Sequence, residues 1–175
     1  MAAWFTLMRH RWCDSRDTRR RIPDDMAERL SARIGASEAR HTGQVRICVE
    51  AALPTDLLWR QGPRCTLAPL VRERALFWFG QLGVWDTEHN NGVLIYLLLA
   101  EQAIEFVADR ALARHVPPEQ WQAAVDHLRL HLQAGDFETG LTQALGEVSA
   151  LLVAHFPAHA GQPSANELPN TIVRV

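Results

Sequence analysis

Val93-Leu94-Ile95-Tyr96-Leu97-Leu98-Leu99-Ala100-Glu101-Gln102-Ala103-Ile104-Glu105-Phe106-Val107-Ala108 holds two apolar runs parted by a polar pair, and this pattern decides the fold. Val93–Leu99 is almost wholly apolar, as expected of a central strand covered on both faces. Glu101-Gln102 interrupts it, and Ala103–Ala108 reads as the returning arm of a hairpin. Upstream, Gln44–Ala51 (QVRICVEA) alternates, with Val45, Ile47 and Val49 on one face and Arg46, Cys48 and Glu50 on the other. That is a strand with one well-buried face.

Helices join and flank these strands. Leu67, Leu70, Val71, Ala75, Trp78, Phe79 and Leu82 recur at helical intervals, with Thr66 as N-cap and Gly83 as stop. Pro54 to Pro63 reads as a loop with Gly62-Pro63 as its breaker. Before the first strand, Pro23-Asp24-Asp25 starts a helix carrying Met26, Leu30 and Ile34. After the hairpin, Pro117-Pro118-Glu119 opens a helix with Trp121, Ala124, Val125, Leu128 and Leu132 on one stripe, ended by Gly135. Phe137, Leu141, Ala144, Leu145, Val148, Leu151 and Leu152 form the last stripe, which Pro157 ends. The order α-β-α-β-β-α-α predicts an α/β fold, a three-layer α/β/α sandwich in which helices cover a small mixed sheet of a parallel crossover pair plus a hairpin. Three regions follow: residues 1–22, an aromatic and basic N-terminal segment; 23–157, the α/β domain; and 158–175, rich in Gly, Pro, Ser and Asn, a flexible tail.

Length and charge bound the function. The chain has 175 residues and a formal net charge of −2, so it forms one domain with no basic excess to neutralise phosphates, and nucleic acid is not an expected partner. No apolar run approaches the roughly 20 residues of a membrane span, and Met1–Trp12 lacks the layout of a secretory signal. Cys13, Cys48 and Cys65 are odd in number and show no CxxC spacing, which fits reduced thiols and a cytoplasmic location. Trp4, Phe5, Met8 and Trp12 would share one side of a helix. They pack onto the domain or place it peripherally at a membrane surface.

The topology also predicts a site. Parallel first and second strands followed by an antiparallel third bring His41-Thr42-Gly43, Asp86–Asn91 and Asp109-Arg110 to one end of the sheet. Asp86, Glu88, His89, Asn90, Asn91 and Asp109 carry the oxygen donors that Ca2+ or Mg2+ takes, with an imidazole beside them. Arg110 is suited to holding a phosphate, and Asp136 is a further ligand candidate. The same residues also serve as turn and cap formers: Asn90-Asn91-Gly92 is turn chemistry, Asp86 and Thr87 cap turns, and Asp136 caps a helix. His127 and His131, four apart on a helix, have zinc-ligand spacing but no evident third ligand. No GxSxG, P-loop or GxGxxG signature occurs, and no organic cofactor is expected.

Four segments resemble the TPM domain in order and spacing: His41–Ile47 (HTGQVRI), Asn91–Leu97 (NGVLIYL), Ile104–Asp109 (IEFVAD) and Gly135–Leu141 (GDFETGL). This is the phosphatase-like domain also found in thylakoid photosystem-repair proteins and a receptor auxiliary protein. The likeness spans about Met26–Pro157. Val84–Asn91 (VWDTEHNN) resembles the short bacterial cytoplasmic branch, which carries neither signal peptide nor membrane anchor. The resemblance implies an α/β/α sandwich, divalent-cation binding and, in some members, weak acid phosphatase activity. Other members resemble adaptors in membrane-protein maintenance. The chain departs from the pattern where Ala108-Asp109-Arg110-Ala111 replaces a glycine-rich segment and where Asn91 replaces an acidic residue. Two functions follow as expectations. One is a non-catalytic binding or regulatory domain for a membrane protein or membrane-associated complex. The other is a metal-dependent acid phosphatase hydrolysing phosphate monoesters, with Asp86, Glu88, Asp109 and Asp136 on the metal. The lack of an identifiable nucleophile or acid–base pair favours the first.

Overall fold

The computed structural model describes residues 15–60, 66–158 and 167–175. Seven helices and four strands follow in the order α1 (Ser15–Arg21), α2 (Asp24–Glu38), β1 (Val45–Glu50), α3 (Thr55–Trp59), α4 (Leu67–Gln81), β2 (Val93–Leu98), β3 (Ala103–Ala108), α5 (Arg110–Ala113), α6 (Pro118–Gln133), α7 (Phe137–His155) and β4 (Val173–Arg174). A 3-10 turn, Leu99–Glu101, links β2 to β3.

The sheet runs β3-β2-β1-β4. β1 and β2 are parallel, with Val45 opposite Val93 and Glu50 opposite Leu98, while β2 and β3 are antiparallel, with Val93 opposite Ala108. The parallel crossover and the hairpin therefore stand as the sequence predicts. All twelve residues of β1 and β2 are buried, because helices lie on both faces. On one face Val45, Ile47, Val49, Ile95 and Phe106 pack against α2, α6 and α7. On the other, Cys48, Leu94, Tyr96 and Val107 pack against α3 and α4. Every second strand residue feeds one of two cores, and truncating a buried Leu such as Leu94 or Leu141 to Ala costs about 2–5 kcal/mol in such interiors.

Three elements differ from the sequence reading. The tail expectation for residues 158–175 is corrected over its last nine residues. Val173 and Arg174 pair in parallel with Cys48 and Val49, Leu168 and Ile172 are buried, and the Arg174 guanidinium bonds the Ile22 carbonyl (2.8 Å) and Asp24 (2.6 Å). Two strand residues carry no periodicity, so only their partner β1 defines them. The segment ahead of Pro23 contains α1, anchored by buried Thr18 and Ile22. Thr55–Trp59, read as loop, is a short helix with Leu58 in the core. The aromatic stripe Met1–Trp12, Cys13, Cys65, Gly62-Pro63 and residues 159–166 lie outside the described residues. No described helix is long and apolar enough to cross a membrane.

Candidate cation site at the amino edge of the sheet

The three polar segments do meet. Gly92 opens β2 at a point where the Val84 carbonyl would lie 2.0 Å from any Cβ, so only glycine lets the α4–β2 connection fold back onto the strand. That close approach fixes the preceding turn. Asn90 adopts φ 51°, its main-chain N–H donates to the Thr87 carbonyl, and the Asn91 N–H donates to Thr87 Oγ1 at 3.1 Å. Asn91 is fully buried, and its Nδ2 donates to Thr42 Oγ1 (3.1 Å), tying the entrance of β2 to that of β1. The Asp109 N–H donates to the Gly92 carbonyl (2.9 Å), tying in the exit of β3.

Asp109 then caps α5, with Oδ1 accepting from the Arg110 N–H at 2.6 Å. The exposed Arg110 side chain reaches back to Asn90 Oδ1 (2.8 Å) and stands 3.8 Å from Asp109 Oδ1. The turn at Asn90-Asn91-Gly92 and the Thr87 cap stand as the sequence predicts, and Asp109 is a helix cap besides, yet two atoms are left over. Asn91 Oδ1 and Asp109 Oδ2 are buried acceptors with no donor. An unmet buried acceptor ordinarily costs about 1–3 kcal/mol, and a carboxylate oxygen more. Here Asn91 stands just before β2, with its Nδ2 on the Thr42 hydroxyl, and Asp109 stands just after β3, with its N–H on the Gly92 carbonyl. Oxygens of this kind could take an oxygen-seeking cation, since an amide, a hydroxyl and one carboxylate are donor types of Ca2+ or Mg2+ rather than zinc.

The remaining candidates divide. Asp86, Glu88 and His89 are exposed on the same turn, and the Glu88 N–H donates to Glu167 Oε2 (2.9 Å). His41 is buried at this edge with both ring nitrogens engaged. Nδ1–H donates to the Gly43 carbonyl (3.0 Å), which makes Nε2 the acceptor of the Ser37 hydroxyl (3.0 Å), and burial pulls its pKa down to about 4. It is a neutral structural histidine with no free lone pair for a metal. Asp136 is corrected out of the site. Its Oδ1 accepts from the Thr139 N–H (3.2 Å) at the start of α7, and the adjoining Phe137 lines a cavity with Leu97 and Leu98, at the opposite end of the sheet. Among the described residues no three His, Cys, Asp or Glu side chains converge as a metal cluster. His127 and His131 face α7 instead, where His127 Nδ1 meets Glu147 (2.9 Å) and His131 Nε2 meets Gln143 (3.0 Å).

A family model described as the TPM domain matches residues 16–151. The chain belongs to the TPM domain family. No curated protein matches this TPM domain. Among solved structures it is similar to the NMR structure of the BA42 protein from the psychrophilic bacterium Bizionia argentinensis. Identity is 22%, coverage is 87% of this chain and 94% of that one, and the TM-score is 0.69, a likeness of fold.

The sequence reading missed a second buried polar group. Under α4, Glu50 accepts from Arg74 Nη2 (2.6 Å), Trp78 Nε1 (2.9 Å) and Tyr96 OH (2.6 Å), beside the buried Cys48 thiol. Burial and the Glu50 charge push both Cys48 and Tyr96 up, so each stays protonated. The signal was the Arg46-Cys48-Glu50 alternation itself, read as a polar face when it was a buried one. Arg46 lies on that face too, 5% exposed, with Nε and Nη1 unbonded and Glu38 as a nearby charge.

Proposed function

We propose that this TPM domain is a non-catalytic binding domain whose amino edge takes a divalent cation, Ca2+ or Mg2+, between Asn91, Asp109 and Thr42, and that the bound cation regulates attachment to a membrane-associated partner. The observation that carries it is the pair of buried, donor-less oxygens, Asn91 Oδ1 and Asp109 Oδ2. The cation would supply the positive charge they lack and hold the entrances of β1 and β2 against the exit of β3. Asp86 and Glu88, exposed beside it, would lend further negative charge. The membrane-associated partner, and a role in membrane-protein maintenance, rest on the family resemblance of the sequence.

Binding is favoured over phosphate-ester hydrolysis because no described side chain at this edge is set up as nucleophile or proton carrier. The Thr42 hydroxyl accepts from Asn91, both His41 nitrogens are engaged, and the Cys48 thiol is buried in the other core. Arg110 remains exposed enough to meet an anion, which keeps the phosphatase reading testable.

Calorimetric titration of chelator-stripped protein with Ca2+, Mg2+ and Mn2+ tests the proposal. Saturable binding that disappears in Asp109→Asn, without loss of fold, is the expected result. Absence of binding for all three metals overturns it. Cation-dependent turnover of p-nitrophenyl phosphate that is lost in the same variant would move the assignment to hydrolysis.

A further inference from the structure

β3 is the edge strand of the sheet, and among the described residues no strand covers its outer side. The Asp109 N–H points to Gly92 on β2, so with the antiparallel register the main-chain groups of Ile104, Phe106 and Ala108 point outward. Their direction is visible in one contact, for Arg72 Nη1 reaches across to donate to the Phe106 carbonyl at 2.9 Å. This outer row opens into a hollow rather than flat solvent. A groove of about 480 Å³ lies between Arg72 of α4 and Trp121 of α6. A second hollow of about 400 Å³ continues from it, sharing Ile104 and Arg129, and ends at Arg21 and Phe137 near the hairpin. Together they follow the whole of β3, the length of an extended segment of about six residues.

We infer that this groove binds an extended segment of a partner protein as a fifth strand, with apolar side chains at alternate positions and an acidic residue at the hairpin end. Three features set that chemistry. Main-chain donors and acceptors spaced every second residue recognise another main chain in extended form. The wall under α6 is aromatic, with the Phe106 and Trp121 rings 5.8 Å apart between centroids, and takes the apolar side chains. At the hairpin end the Arg21 guanidinium lies over the Phe137 ring at 5.6 Å, and no carboxylate among the described residues pairs with it. Of the nearby carboxylates, Glu105 is taken by Arg72, Asp126 by Arg129, and Asp17, which lines the same hollow as Arg21, is also engaged, so the uncommitted charge of the groove is positive.

The inference rests on the binding role proposed above and names its partner class, but its surface is separate from the cation edge, so the two can fail independently. The test is a titration of the full chain, labelled with nitrogen-15, by the synthetic peptide acetyl-Glu-Val-Thr-Val-Thr-Val-Glu-amide. Shifts centred on the amides of Ile104, Phe106 and Ala108 are expected at submillimolar peptide. Ala108→Pro removes one outward N–H and leaves the β2 ladder, so affinity should fall about tenfold. Arg21→Glu, an exposed change that leaves the core alone, should weaken the acidic peptide and restore binding to the same peptide with Lys at both ends. No shifts at millimolar peptide, shifts elsewhere, or indifference to Arg21→Glu would overturn the inference. So would a mass that doubles with concentration while the β3 amides shift, which would assign the edge to a second copy. Calcium binding retained in every one of these cases would leave the cation proposal standing.

Discussion

Two buried carboxylates lie at opposite ends of this sheet, and they differ in what they have been given. Glu50, at the carboxyl end of β1, accepts from a guanidinium, an indole and a phenol, all drawn from α4 and β2. Asp109, at the amino edge, has one oxygen capping α5 and the other without a donor, and the Asn91 amide oxygen at the same edge also lacks one. Burial alone therefore does not mark a functional carboxylate. A satisfied one fastens a helix to a sheet, and an unsatisfied one is a place where something is expected to bind.

The largest expected effect breaks the satisfied end. Glu50→Ala leaves Arg74, Trp78 and Tyr96 unpaired beneath α4 and should cost about 3–5 kcal/mol, read as a fall in the denaturation midpoint. A change near zero would mean that α4 is held by its apolar contacts alone.

A second test uses the pH response of the amino edge, where two groups pull in opposite senses. Burial holds Glu38 at about 7 against an ordinary 4.5, with its Oε1 accepting from the Val45 N–H (2.9 Å). Its contribution is full below pH 4.5 and is lost as pH rises through 7. His41, depressed from 6.5 to about 4, contributes fully above 6.5 and loses that contribution as pH falls towards 4. Each span is on the order of 3 kcal/mol, so they offset and stability should be nearly flat between about pH 4.5 and 6.5. Glu38→Gln should uncover a loss on acidification over that window, and His41→Asn a loss on alkalinisation. Urea midpoints across the window check both signs. Parallel slopes in the two variants would be inconsistent with the opposed pair.

Much of this frame is legible in the sequence because it is written in apolar runs and glycine stops. The crossover and the hairpin follow from Gln44–Ala51 and Val93–Ala108, and the meeting of Thr42, Asn91 and Asp109 follows from their topology. Asp136 was misplaced although its location was also encoded. The sixteen residues of α6 rise about 24 Å, enough to carry the chain from the amino edge back across the sheet before α7 begins. What no periodicity could reveal was the state of individual atoms. Glu50 and Asp109 look equally polar in sequence, and only the partners brought by distant elements separate them.

Between the two ends in size stands Gly92→Ala. Its Cβ would meet the Val84 carbonyl at 2.0 Å, and backbone rather than a side-chain tip would have to move. A loss of about 1–3 kcal/mol is expected, with weakened cation binding, because the displaced turn carries Asn90 and Asn91. Calorimetry and thermal unfolding on one preparation would show whether the two losses travel together.

The smallest effect on stability is the sharpest test of the comparison. Asp109→Asn keeps an oxygen to cap the Arg110 N–H and keeps the side-chain volume, so without cation the change should stay within about 0.5 kcal/mol of zero. The amide also removes the cost of a buried carboxylate oxygen that has no donor. With Ca2+ present the ordering should reverse, because ligand raises the stability of the binding form alone, by about 2.7 kcal/mol at a hundredfold excess over its dissociation constant. The corresponding Glu50→Gln should lose stability by the same amount with or without cation. A cation-dependent difference at Asp109 beside a cation-independent one at Glu50 would establish that the unmet oxygens, and not burial or charge, mark the site. Equal responses at both ends would reduce Asp109 to a helix cap.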